Sequence, residues 1–203
     1  LLMIQYLSGG AWGLVLRRVL ESGSRMVYWI PVFWIPVLLA VVFHTDVYEW
    51  THADVVKEDA MLQAKAPYLN VSFWVLRSVI YFVIWCGLAF FLNRWSRLQD
   101  ETGDQRYLVK MRTLSGPGMV LYALTVTFAA VDWMMSLEPH WYSTIYGALL
   151  AVGQLLGGLC FATAVITLMA RFRPMSEILQ KRHMHDYGKL MLGFTMLWAY
   201  LNF

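Results

Sequence analysis

The chain has 203 residues, of which 59% are hydrophobic and only 14% charged, with a mean hydropathy of +0.52. A soluble domain carries about 45–50% apolar and about 25% charged residues, so this composition excludes a water-soluble enzyme or binding module and points to an integral membrane protein. The formal net charge is +3, too small and too dispersed for a nucleic-acid surface.

Crossing a hydrocarbon core takes about 20 apolar residues, and the sequence offers six such runs: Leu1 to Leu20, Met26 to Phe43, Val71 to Leu92, Pro117 to Leu137, Tyr142 to Ala170 and Leu190 to Phe203. The fold class expected is an all-α membrane protein of about six transmembrane helices forming a single domain over residues 1–203. The first and last runs look cut short, as in a piece of a longer chain. The connections after the first, third and fifth runs hold Arg17, Arg18 and Arg25; Arg94, Arg97, Arg106, Lys110 and Arg112; and Arg171, Arg173, Lys181, Arg182 and Lys189. The other connections hold only Lys57 and Lys65, so the positive-inside rule puts the basic side in the cytoplasm.

In the first run Ser8, Gly9, Gly10, Ala11 and Gly13 supply small residues. The Gly9/Gly13 spacing reads as close helix packing. Pro31 and Pro36 predict a kink in the second. Residues 44–67 form an acidic outer loop, with Asp46, Glu49, Asp54, Glu58 and Asp59 against two lysines. Thr51 and Asp54 resemble a capping box ahead of a short interfacial helix bearing Val55, Val56, Ala60, Met61 and Leu62, which either docks a partner protein or peripheral domain or lies as a solvated helix on the membrane surface. The stretch from Asn93 to Ser115 reads as a solvated inner loop, with Gly116, Pro117 and Gly118 opening the fourth run.

Apart from Arg17 and Arg18 at the inner end of the first run, Arg77 is the one basic residue inside a run, seven residues from its outer end, or roughly 10 Å deep at 1.5 Å per residue. A charge at that depth needs a partner or a water-filled cavity. Asp132, near the outer end of the antiparallel fourth run, lies at similar depth, and the two are expected to face each other.

Asp132 opens the polar turn D-W-M-M-S-L-E-P-H-W-Y-S-T-I-Y-G of residues 132 to 147. With a fifth helix starting at Trp141 or Tyr142, Ser143, Tyr146 and Gly147 share one face and line a polar pocket with Asp132. For proton movement the outer stations are Asp132, Glu138, His140 and Tyr146. Thr125, Thr127, Ser136 and Gln154 are stepping points, and His183, His185 and Asp186 form the inner mouth or cap the last helix. A second small-residue pair, Gly153 and Gly157, reads as another helix contact. Cys86 and Cys160 lack metal-ligand spacing. Of the histidines, only loop-level His44 and His140 approach the matched depth that a bis-histidine haem needs, so no catalytic residue, metal or cofactor is assigned to this chain.

The same 132–147 turn, together with A-P-Y-L-N-V at 66 to 71, N-R-W-S-R-L-Q-D-E-T-G-D at 93 to 104 and H-D-Y-G-K-L at 185 to 190, resembles the F subunit (ActF) family of bacterial alternative complex III. The likeness runs in order over nearly the whole chain. That resemblance implies an NrfD/PsrC-like bundle larger than this chain, in a bacterial cytoplasmic membrane with the 132–147 turn on the periplasmic side. The implied complex is a quinol:electron-acceptor oxidoreductase. Its implied partners are a multihaem c-type cytochrome, an iron–sulfur protein, a homologous quinol-binding membrane subunit and small membrane subunits, the haems and iron–sulfur clusters lying on those partners. In the quinol-binding relative a histidine stands where this chain has Tyr142, which removes a ready proton acceptor. The expectation is therefore a structural subunit able to conduct protons rather than the catalytic one, with a quinone- or quinol-binding subunit of the same complex, or a purely structural scaffold, as the alternatives.

Overall fold

The computed structural model of the chain describes residues 1–10 and 12–203; Ala11, one of the small residues of the first run, lies outside the described residues. Helix accounts for 83% of the chain, and no strand occurs among the described residues. Among the described residues four helical stretches are long and apolar enough to cross a membrane: Trp12–Val42, Val71–Thr102, Gln105–Leu137 and Tyr146–Met169.

The first apolar run is not one helix. Helix α1 (Leu2–Ser8) ends on Gly9, whose φ of 61° is left-handed and whose N–H closes onto the Gln5 carbonyl at 3.0 Å. Glycine enters that region without a Cβ clash. The chain then folds back as α2 (Trp12–Ser24), with Gly13 against the Gln5 side chain. Gly9 and Gly13 therefore do different jobs, one ending a helix and the other making room for α1, rather than forming one helix-crossing pair. Helix α2 is amphipathic. It buries Val15 and Leu16 against Leu159, Ile166 and Tyr187, and it continues through a 3₁₀ segment at Arg25–Trp29 into α3 (Ile30–Val42). Arg17, Arg18 and Arg25 thus sit on continuous helix, not on a loop. Pro31 occupies the first turn of α3, where its missing N–H is not needed.

Residues 44–67 fold into two short helices, α4 (Ala53–Glu58) and α5 (Ala60–Lys65), after a 3₁₀ turn at Glu49–Thr51. The cap is Asp59, which accepts from the N–H groups of Met61 and Leu62 at 2.8 and 3.3 Å. Thr51 instead donates to the Tyr48 carbonyl at 2.7 Å. Trp50, Tyr48 and Leu62 turn inward onto Val41, Leu69 and Trp74, so the loop closes one end of the bundle.

The expected inner loop is mostly helix. α6 (Val71–Thr102) and α7 (Gln105–Trp133) meet across Gly103 and Asp104, and Gly116, Pro117 and Gly118 lie inside α7. Gly103 ends α6 with φ 68°, and the Asp104 carboxylate caps α7 at the Arg106 N–H, 2.8 Å away. Hydropathy falls after Leu92 because the chain leaves the apolar layer, while Arg, Leu, Gln, Lys and Met remain good helix formers.

Helix α8 (Tyr146–Met169) packs against α7, and α10 (Lys181–Asn202), preceded by the short α9 (Met175–Ile178), packs against α8. At the α7/α8 crossing a Cβ on Gly147 would lie 2.8 Å from the Thr127 Cα, whereas one on Gly157 would meet nothing within 4 Å. Close approach therefore depends on Gly147 and not on the Gly153/Gly157 pair. Gly147→Ala should destabilise the fold by about 1–3 kcal/mol through overpacking. Gly157→Ala should stabilise it by up to about 1 kcal/mol through helix propensity. Thermal unfolding in detergent reads the opposite signs.

Candidate functional site

Asn70 starts α6 by accepting from the Phe73 N–H at 2.9 Å, and from there Trp74, Arg77, Ser78 and Tyr81 fall on one face by their three- and four-residue spacing. That face meets the last two turns of α7. Arg77 and Asp132 pair as their depths predict: Arg77 Nε donates to Asp132 Oδ2 and Nη2 to Oδ1, both at 2.8 Å. The Tyr81 hydroxyl donates to Oδ2 at 2.7 Å. Arg77 Nη1 reaches the Tyr68 carbonyl at 3.1 Å, and its guanidinium stacks 3.9 Å from the Tyr68 ring centroid and 4.4 Å from that of Phe73. Asp132 is fully buried and Arg77 is 8% exposed.

The backbone around the pair is tied as well. The Asp132 carbonyl accepts from Trp74 Nε1 at 2.7 Å and from the Ser136 hydroxyl. Trp133 Nε1 donates to Ser78 Oγ at 2.9 Å, and the Tyr48 hydroxyl donates to the Trp133 carbonyl at 2.9 Å. Burial, followed by the charge of Asp132, pushes the Tyr48 hydroxyl up to about 12, so it remains a donor at physiological pH. Trp34 stacks on Trp74 with centroids 5.0 Å apart, and Phe82 stacks on Trp133 at 5.4 Å. This aromatic packing surrounds the pair with apolar surface, where an unpaired charge is most costly.

Beside this clamp, and sharing Tyr68 with it, is a cleft of about 340 Å³ bordered by Lys65, Tyr68, Ser136, Pro139, Trp141 and Tyr142. Asp132 is not on its wall. The pocket expected from Asp132, Ser143 and Tyr146 does not form, because α8 begins only at Tyr146 and leaves Ser143 ahead of the helix, while Asp132 faces α6. Tyr146 reaches Met134 Sδ at 3.8 Å, and Tyr142 is 75% exposed. Glu138 is exposed. His140 Nε2 lies 2.7 Å from Asp59 Oδ2, and Lys65 donates to the Pro139 carbonyl, so the 135–142 turn is strapped to α5. Burial raises the Asp59 carboxyl, but the N–H groups of Met61 and Leu62 and the adjacent His140 outweigh it and hold it below the usual carboxylate range.

The inner candidates lie at the opposite end. His183 Nδ1 accepts from the Gln180 N–H at 3.2 Å, closing a capping box; His185 is exposed and Asp186 half-buried. The stepping points do not bond to one another. Thr125 donates to the Leu121 carbonyl and receives the Trp85 N–H, each at 2.8 Å. Thr127 donates to the Ala123 carbonyl at 2.8 Å, and Gln154 receives the Tyr122 hydroxyl at 3.0 Å. Among the described residues no three His, Cys, Asp or Glu side chains gather as a metal-holding group.

Sequence reasoning missed a second buried acid. Glu21, 3% exposed, accepts from Ser96 Oγ at 2.6 Å, Arg17 Nε at 2.8 Å and the Tyr6 hydroxyl at 2.9 Å, and from Arg18 Nη1 at 2.9 Å. Arg17 also reaches Ser96 at 3.0 Å and Gln99 at 2.9 Å, and Arg18 pairs with Asp100. The available signal was the placement of Glu21 four residues after Arg17 and three after Arg18; its partners on α1 and α6 leave no local trace.

No protein-family model and no curated protein sequence matches this chain.

Removing the Asp132 carboxylate strands a buried guanidinium. Asp132→Ala should therefore cost about 3–5 kcal/mol, and Tyr81→Phe about 1.5–3 kcal/mol, as for a hydrogen bond to a charged group. Equilibrium unfolding in a fixed detergent would check both values and their order.

Proposed function

We propose that this chain is a membrane subunit of a respiratory quinol:electron-acceptor oxidoreductase of the alternative complex III kind, and that its own part in that complex is architectural. The complex is suggested by the resemblance of the 66–71, 93–104, 132–147 and 185–190 stretches to the F subunit family. Placement in a bacterial cytoplasmic membrane rests on the same resemblance, and the outward facing of the 132–147 turn is supported by the sorting of Lys and Arg along the sequence.

One observation carries the architectural role: the Asp132 carboxylate is closed by two guanidinium donors and the Tyr81 hydroxyl. A carboxylate so occupied exchanges a proton only by breaking its ion pair, which suits an anchor better than a relay station. Haems and iron–sulfur clusters belong in this reading to partner subunits, and this chain holds the membrane arm against which they assemble.

A second reading, quinone binding by this subunit, is favoured by the cleft beside Tyr142, where Lys65, Tyr68 and Ser136 supply polar groups at the edge of an apolar hollow. The two readings separate in the purified complex. If the role is architectural, Asp132→Asn lowers the amount of assembled complex, and what assembles keeps its quinol turnover and proton stoichiometry. Normal turnover with diminished proton movement would contradict it in favour of conduction. A raised KM for quinol in Tyr142→Ala would contradict it in favour of a quinone site.

A further inference from the structure

Helices α1 and α2 and the 25–29 segment lean on α6, α7 and α8 without filling the space between them. They leave a groove of about 470 Å³, within the roughly 300–1,000 Å³ of small-molecule sites. Its walls are apolar, with Leu20, Val27, Leu88, Leu92, Leu155 and Phe161 among them. Away from the rim three polar side chains line it, and they are largely partnered: the Trp85 N–H is taken by Thr125, and the Tyr122 hydroxyl donates to Gln154 Oε1 across the wall. Such a wall favours hydrocarbon over a hydrogen-bonding head.

One rim differs. Ser24 borders the groove, its hydroxyl oxygen accepts from Asn93 Nδ2 at 2.8 Å, and Asn93 Oδ1 in turn accepts from Arg25 Nε at 3.1 Å. Arg25 is exposed, and among the described residues no carboxylate lies within ion-pair distance of it, whereas its neighbours Arg17 and Arg18 are neutralised by Glu21 and Asp100. Asn93 holds the guanidinium by one edge, which leaves its terminal nitrogens available to an anion.

We propose that the groove and this rim form a binding site for an anionic phospholipid, with an acyl chain along the groove and the phosphate at Arg25. Charge complementarity selects the occupant: a zwitterionic headgroup brings its own cation beside the phosphate and gains less from the unpaired guanidinium, and basic pockets between transmembrane helices favour anionic lipid heads. The proposal does not depend on the quinol reading, since it requires only a chain in a bilayer.

The test uses the full-length protein in its complex, purified in detergent and depleted of lipid, then titrated with phosphatidylglycerol or phosphatidylcholine and followed by native mass spectrometry and melting temperature. Phosphatidylglycerol should bind and stabilise well beyond phosphatidylcholine. Arg25→Gln, a change at an exposed position, should weaken phosphatidylglycerol about fivefold, the effect of one basic residue near an anionic head, and weaken phosphatidylcholine by less, so that the preference between the two narrows. Ala123→Trp, which fills the groove, should abolish binding of both. Equal affinity for the two lipids, an unaltered response in Arg25→Gln, or a polypeptide segment or quinone occupying the groove would overturn the proposal.

Discussion

The Arg77–Asp132 ion pair is the constraint around which one end of the bundle is built. Taking either charge from water into an apolar medium costs several kcal/mol even after relaxation, and mutual attraction offsets this only with good geometry and further hydrogen bonds. Both conditions are met here. The guanidinium and carboxylate meet through two parallel bonds, a tyrosine completes the carboxylate, and two aromatic rings stack on the guanidinium. Helices α6 and α7 cannot slide relative to each other without separating these partners, so the pair fixes their register. The loop above them closes for the same reason, since Tyr48, Trp50 and Leu62 exclude water from the aromatic layer around it.

The opposite end uses the same chemistry with different elements. Glu21 is surrounded by Arg17, Arg18, Tyr6 and Ser96, so α1, α2 and α6 converge on one carboxylate. Between the two clusters the helices carry mainly apolar side chains, and the hydroxyls of Thr125, Thr127 and Thr163 turn back to their own helix carbonyls. A bundle pinned by charge at both ends and packed by apolar contact between them has its directional interactions where registers must be set. Dispersion and small residues then suffice in the middle, with Gly147 admitting the closest approach.

Much of this was legible in the sequence because membranes impose simple rules. Apolar run length located the three long central helices α6, α7 and α8 but divided the N-terminal half wrongly, its first two runs being a short helix and one continuous helical stretch; residue counting put Arg77 and Asp132 at one depth before any contact was known. What stayed hidden depended on other physics. Hydropathy reports where the apolar layer ends, not where helix ends, so residues 93–115 read as a loop although most are helical. Gly9 read as a packing glycine because its left-handed conformation is a property of the backbone. Glu21 was passed over because nearby arginines explained themselves as topology, while Ser96 lies 75 residues away in sequence. The 132–147 turn was read as one pocket because its polar residues are consecutive. In space Asp132 turns to α6, His140 to Asp59 and Tyr142 outward, so the turn is divided among three neighbourhoods.

Arg77 and Asp132 should act on stability as a single unit, which a double-mutant cycle with Arg77→Leu and Asp132→Leu in reversible unfolding measures. The expected coupling is near 3 kcal/mol, the upper end for contacting residues, with the double variant more stable than either single one. Additive losses, with coupling near zero, would contradict it.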